Sequence, residues 1–298
     1  MEKTNGSRAP LDPPKQWGLT DEELARAPIA FRNDLLKDAV YVVSGGGSGI
    51  GRAITYMLAR LGARVAICGR RPEKLEETAL GVSEHVGGEV MTVPMTIREP
   101  AQVDDLMRSV WDRFGRLDGL VNNGGGQFPQ AAIDFSIKGW NAVIDTNLNG
   151  TWYMMQSAAR QWRERGCPGT IVNIVAVIGR GMPQVAHTCA ARAGVIYLSK
   201  TLSTEWAPLG IRVNCVAPGS IESEGLNVYP RSAAELFSSS NPMRRLGDMF
   251  DVAHAVVYLM GPTGKFVTGE VMMVDGGRQQ WGEDWPGGIP DYFRVPGR

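Results

Sequence analysis

Ala39-Val40-Tyr41-Val42-Val43-Ser44-Gly45-Gly46-Gly47-Ser48-Gly49-Ile50-Gly51-Arg52-Ala53 is the stretch that decides the fold. An apolar run of strand length enters a glycine-rich turn, and a helical pattern over about 50–61 follows at once. Glycine lets a backbone turn sharply and approach a pyrophosphate with no Cβ in the way. The helix start beyond it offers free N–H groups and a partial positive charge. The spacing is Gly-x-x-x-Gly-x-Gly rather than the common Gly-x-Gly-x-x-Gly. A flexible loop shares such a composition, but the position between a first strand and a first helix is that of a dinucleotide-binding turn.

Outward from this turn the same texture repeats. Ala39 to Val43, Arg64 to Cys68, Val90 to Val93, Gly119 to Val121, Thr170 to Ile174, Ile211 to Val216 and Val271 to Val274 read as strands. Several are apolar on both faces, as parallel strands between helix layers must be. Helical patterns fill about 50–61, 73–85, 100–115, 133–164, 186–208 and 249–260. Alternating β and α units predict an α/β fold: a Rossmann-type, doubly wound parallel sheet of about seven strands with helices on both faces. With no repeat or composition break inside 39–278, that range is expected to be a single domain. Residues 1–38 read as an arm with one short helix, opened by the capping-box pattern Thr20-Asp21-Glu22-Glu23 and ended by Pro28. Residues 279–298 read as a tail carrying Trp281, Trp285, Tyr292 and Phe293, too aromatic for a solvated end. It is expected to close the active site or a subunit interface, with Trp17 of the arm as a packing partner.

Composition narrows the function. Lys+Arg 31 balances Asp+Glu 31 in 298 residues, so the basic excess of a nucleic-acid binder is missing. No apolar run approaches the ~20 residues of a membrane span. Cys68, Cys167, Cys189 and Cys215 lie far apart, and the three histidines form no pair at metal-ligand spacing. No metal site is expected. The start lacks the apolar core of a signal peptide, and the end, Val295-Pro296-Gly297-Arg298, lacks a Ser-Lys-Leu-type address. Reduced thiols in the cytoplasm are the expectation.

The second strand ends at Cys68-Gly69 and continues as Arg70-Arg71. A site for NAD usually carries an acid here for the ribose 2′-hydroxyl. Two guanidiniums suit a 2′-phosphate instead, although surface arginines at a helix start read the same way. NADP(H) is therefore the expected cofactor.

Together these segments resemble the short-chain dehydrogenase/reductase family. Ser44 to Gly51 is similar to its TGxxxGIG turn, with Ser for Thr, and Asn122-Asn123-Gly124-Gly125 to its NNAG segment. Asn147 falls at the family's helix asparagine. Pro218-Gly219 with Ile221 and Ser223 resembles the segment that faces the nicotinamide, and Val274-Asp275-Gly276-Gly277 the closing strand. The resemblance implies cofactor contacts from Ser44, Gly45, Ser48, Gly49, Ile50, Gly51, Arg70, Arg71, Asn123, Gly124, Gly125, Arg192, Pro218, Gly219, Ile221 and Ser223. It also implies a homo-oligomer, dimer or tetramer.

At the catalytic centre the resemblance breaks. The family's Ser–Tyr–xxx–Lys set would fall on the fifth strand's end and the helix after it. Here the strand end reads Asn173-Ile174-Val175-Ala176-Val177, Thr188 stands at the tyrosine position and Arg192 at the lysine position. Tyr197 and Lys200 lie further on at the wrong spacing. Carbonyl reduction needs a proton donor at the oxygen, and a threonine hydroxyl is a poor acid. Reduction of an activated C=C instead passes through an enolate, which hydrogen-bond donors can hold. The runs Asn122 to Phe128 and Ala186 to Val195 resemble the trans-2-enoyl-CoA reductase branch, and proteins labelled citronellol/citronellal dehydrogenase equally.

The expected activity is NADP(H)-dependent reduction of a 2-enoyl thioester, with an acyl-CoA as the small-molecule substrate and neither nucleic acid nor membrane as partner. An alcohol/aldehyde dehydrogenase on terpenoid-like substrates and a silent dinucleotide-binding protein are the alternatives. The expected catalytic set is Asn147, Thr188, Arg192 and, as a proton source, His187. For each a bland reading stands beside the functional one: a surface arginine, a helix threonine bonding its own backbone, a structural histidine. Gln127 and Phe128 are placed to line the acyl pocket, whereas Trp152, Met154 and Met155 read as packing residues.

Overall fold

The computed structural model describes residues 17–229 and 231–281. Seven strands form one parallel sheet in the order β3-β2-β1-β4-β5-β6-β7. They are β1 (Val40–Ser44), β2 (Arg64–Gly69), β3 (Val90–Pro94), β4 (Gly119–Asn122), β5 (Gly169–Ile174), β6 (Ile211–Pro218) and β7 (Val271–Val274). β1 shows why the strands read as continuous apolar runs. Tyr41 and Val43 pack into one helix layer while Val40 and Val42 pack into the other, all four buried.

The first layer holds α2 (Gly49–Arg60), α3 (Pro72–Val86) and α9 (Met249–Met260). The second holds α4 (Pro100–Phe114), α6 (Thr151–Arg165) and the C-terminal part of α7 (Ala186–Glu205). Helix stops follow the sequence: α3, α4 and α6 end on Gly87, Gly115 and Gly166, each left-handed. Met154, Met155 and Trp162 are fully buried in the second layer, and Trp152 stacks on Trp206, so all serve packing.

The expected long helix over 133–164 is subdivided. A 3₁₀ turn (Ala132–Asp134) precedes α5 (Ile137–Ile144), which starts at Ser136, whose Oγ accepts from Gly139 N–H. A π-helical turn, Asp145–Gly150, then joins α5 to α6. Between β6 and α9 lie turns with no strong apolar period: 3₁₀ turns at Glu224–Val228 and Leu236–Ser240, with α8 (Arg231–Glu235) between them.

The arm is anchored. α1 (Asp21–Arg26) begins with the expected reciprocal capping box between Thr20 and Glu23. Leu24 is fully buried, and the Asp21 carboxylate accepts from Tyr56 and pairs with the buried Arg52 of α2. Ala30 N–H donates to His254 Nε2, on which Phe31 stacks. At the other end, Gln279 N–H donates to Asp275 at 2.7 Å, and the Arg244 guanidinium lies over the Trp281 ring. Expectations for residues 1–16 and 282–298, including Trp285, Tyr292 and Phe293, fall outside the described residues. No described helix is long and apolar enough to cross a membrane, and no metal-ligand cluster occurs among the described residues.

Candidate active site

Strand register brings the site together. Ser44 pairs with Asn122, and Asn122 with Asn173, so the chain leaves β1, β4 and β5 along one edge. β1 lies between β2 and β4, which makes its carboxyl end the point where connections run to opposite sides. A cleft of about 1250 Å³ opens there.

The phosphate end is built on α2. Its N-cap, Ser48, makes no side-chain capping bond, so the helix start turns to the cleft, where Gly49 N–H donates to Glu224 Oε2 at 2.6 Å. Gly51 is obligatory, because a Cβ would run into the Gly45 carbonyl and the Asn123 amide. Ser44 Oγ accepts from the N–H groups of Asn123 and Gly124 at 3.1 and 2.9 Å, and Asn123 Nδ2 returns to the Ser44 and Gly45 carbonyls. Two segments of the expected cofactor set thus lock each other. Arg71 Nη2 donates to Ser48 Oγ at 3.2 Å, tying the end of β2 to the same turn. Arg70 and Arg71 make no ion pair with a carboxylate among the described residues. A helix start without its own side-chain cap and two guanidiniums without a carboxylate partner, on one wall, fit the phosphates of a dinucleotide.

The reacting end is built on α7. Thr188 and Arg192, one turn apart, are buried and line the cleft. Arg192 Nη1 donates to the Ile174 carbonyl at 2.8 Å, and no described carboxylate neutralises it. Burial pulls its pKa down to about 10, so the guanidinium stays charged at neutral pH. Asn147 sits in the π turn behind them. Its Nδ2 donates to Thr188 Oγ1 at 3.0 Å and to the Gly126 carbonyl at 2.9 Å, while its Oδ1 accepts from Gly126 N–H. Gly125 is confined between Arg192 and Asn147, and a Cβ there would run into the guanidinium. Pro218, Gly219, Ile221 and Ser223 line the wall between the two ends.

Some expected residues stand elsewhere. His187 is buried and outside the cleft lining, with Phe128 and Phe135 rings 4.6 and 4.5 Å away. Its Nδ1 accepts from Thr188 N–H, Nε2 has no partner, and burial lowers its pKa. A neutral ring in an aromatic cage is poorly placed to deliver a proton. Phe128 also points away from the cleft, to this cage; Gln127 alone of that pair lines it. Tyr197 is exposed beside Lys200.

Among the cleft residues that the sequence reading missed are Glu224, Tyr229 and Phe237. Gln127 Nε2 donates to Tyr229 Oη at 2.5 Å, and the Tyr229 ring packs edge-on against Phe237. Below the floor runs a buried polar chain: Asn122 donates to Asn173, Asn173 to Ser199, and the Cys215 thiol to Ser199.

Comparison with known proteins agrees with this geometry. A family model described as enoyl-(acyl carrier protein) reductase matches residues 45–279. A probable 2,4-dienoyl-CoA reductase of Bacillus subtilis is 36% identical over 256 residues, covering 82% of this chain and 97% of its own. The peroxisomal 2,4-dienoyl-CoA reductase of Danio rerio is 35% identical, covering 87% of each. The solved structure of a citronellol catabolism dehydrogenase from Pseudomonas aeruginosa PAO1 superposes with a TM-score of 0.75 at 37% identity, covering 84% of this chain and 99% of its own. With its seven-stranded sheet, glycine turn and α7 site, the chain belongs to the short-chain dehydrogenase/reductase family of oxidoreductases.

Proposed function

We propose that the protein is an NADP(H)-dependent reductase of the C=C bond in 2-enoyl thioesters, with 2,4-dienoyl-CoA the first substrate to test. The observation that carries this reading is the pair Thr188 and Arg192, buried side by side at the reacting end with no α7 tyrosine or lysine facing the cleft. Relatives named 2,4-dienoyl-CoA reductases support the substrate class.

A nicotinamide dinucleotide supplies the hydride when bound. Gly45, Ser48, Gly49 and Ile50 would hold its pyrophosphate, with buried Ser44 and Gly51 shaping the turn behind them, and Arg70 and Arg71 its 2′-phosphate. Asn123, Gly124, Gly125, Pro218, Gly219, Ile221 and Ser223 would enclose the rest. Hydride addition to a conjugated thioester pushes negative charge onto the carbonyl oxygen. Thr188 Oγ1 accepts from Asn147 and keeps its own hydrogen for that oxygen. Arg192 provides a fixed positive charge close by, and water or another weak acid then protonates the α-carbon. Asn147 is a positioning residue, holding Thr188 and the Gly126 backbone in one register.

The likeness to a citronellol catabolism dehydrogenase favours a second reading, alcohol oxidation. Turnover of 2,4-hexadienoyl-CoA, crotonyl-CoA, citronellal and citronellol with NADPH, NADH, NADP⁺ and NAD⁺ decides. Fast NADPH oxidation with the thioesters is expected; citronellol oxidation with inert thioesters would reverse the assignment. Arg70→Asp should weaken NADPH more than NADH, and equal affinity of the wild type for both would remove the 2′-phosphate assignment.

A further inference from the structure

The start of α2 is already engaged by an anion from the protein itself. Gly49 N–H donates to Glu224 Oε2 at 2.6 Å across 175 residues of sequence. α2 has no acid in its own first turn, and Glu224 makes no ion pair with a described lysine or arginine. Its carboxylate therefore answers to the helix amides and to their partial positive charge. This is the position that serves a phosphate in the dinucleotide reading, on which the inference rests. One N–H donor cannot serve two anions, and a carboxylate beside a pyrophosphate is repelled by it.

We propose that Glu224 is a built-in competitor for the dinucleotide's phosphates and sets the affinity of the site. A dinucleotide has to dislodge the carboxylate before its pyrophosphate reaches the α2 amides. The displacement reaches the reacting end as well. Glu224 opens the 3₁₀ turn Glu224–Val228, pinned in the middle by buried Leu226, and the next residue, Tyr229, is held by Gln127. A turn fastened at both ends of the cleft is released from its phosphate-end anchor when the dinucleotide enters.

Glu224→Gln keeps the shape and removes the charge; Glu224→Ala removes the contact. Titration of intact protein with NADPH, NADH, ADP and adenosine, followed by calorimetry, is the test. Both variants should bind NADPH, NADH and ADP about two- to fivefold more tightly, the range expected of one charge at a helix start. Adenosine, which has no phosphate, should bind all three proteins alike. Unchanged or weaker ADP and NADPH binding in both variants would overturn the proposal, as would an equal gain for adenosine. A wild type that binds ADP and NADPH while the variants gain nothing defeats this inference alone. A wild type that binds neither defeats the dinucleotide reading and takes this inference with it.

Discussion

Arg192 is the residue whose chemistry departs furthest from a surface arginine. Its guanidinium is buried, charged and bonded to one carbonyl. Arg192→Ala should lower kcat/KM about 100-fold or more, as removal of a charge-stabilising donor does. Thr188→Ala should cost about tenfold, because charge-assisted bonds are roughly twice as strong as neutral ones. Steady-state kinetics on both variants checks the order, and the reverse order would exchange their roles. The charge also predicts a pH limb. The protonated form is the active one, so turnover and NADPH affinity should hold from neutral pH and fall as pH rises through about 10. A fall centred near pH 7 would point to another group. Thr188 and Arg192 were legible because the resemblance to the short-chain dehydrogenase/reductase family puts them at its tyrosine and lysine positions, one helical turn apart. Glu224 and Tyr229 were not, since their partners lie 175 and 102 residues away and only the returning loop brings them together.

Among the elements, the π turn and the first turn of α7 decide the geometry of the reacting end. The apolar period over 133–164 runs on regardless, so one wider turn leaves no trace in the pattern. What marks it is polar. Thr151 Oγ1 takes up the Asn147 carbonyl, and the Asn147 side chain turns to Gly126 and Thr188. At the start of α7, His187 satisfies the Thr188 N–H, but its ring is held neutral by burial. The unfolded chain takes up a proton near the ordinary histidine pKa of about 6.5 while the folded chain resists. Stability should therefore decline as pH drops below about 6.5, until the depressed folded value is passed. His187→Asn keeps an acceptor and removes the titration. Its melting temperature should fall less than that of the wild type between pH 7.5 and 5, and parallel falls would clear His187 of the effect.

On the scale of the whole molecule, the sheet was legible almost strand by strand, because two-sided burial writes unbroken apolar runs. The docking of the arm was less so. Its capping box could be read, but the pairing of Asp21 with Arg52 and Tyr56 depends on where α1 lands. Arg52 is nearly buried, so Asp21→Ala leaves its charge with only the longer contact to Glu77, at 3.8 Å. Discounted for the partial exposure of Asp21, the loss should be about 2 kcal/mol, a drop of about 4 °C in melting temperature. Calorimetry on that variant checks it, and an unchanged midpoint would make the arm a passenger. Deleting residues 279–298 removes the Trp281 contact with Arg244 and should lower turnover or shift the sedimenting species to smaller size. A truncated chain with unaltered turnover and sedimentation would leave the tail without a role.

The strand order β3-β2-β1-β4-β5-β6-β7 divides labour between the two halves of the chain. The phosphate turn and the paired arginines come from β1 and β2; the Asn147, Thr188 and Arg192 group and the Glu224–Tyr229 segment come from the chain beyond β4. An inheritance of this kind is separable. Loops after β4 can drift, lengthen or be exchanged to suit a new substrate only where they leave segments 123–125 and 218–223 in place, while the first two βα units keep the phosphate end. Chimeras joined just before β4 are the natural starting point for redesigning what this scaffold reduces.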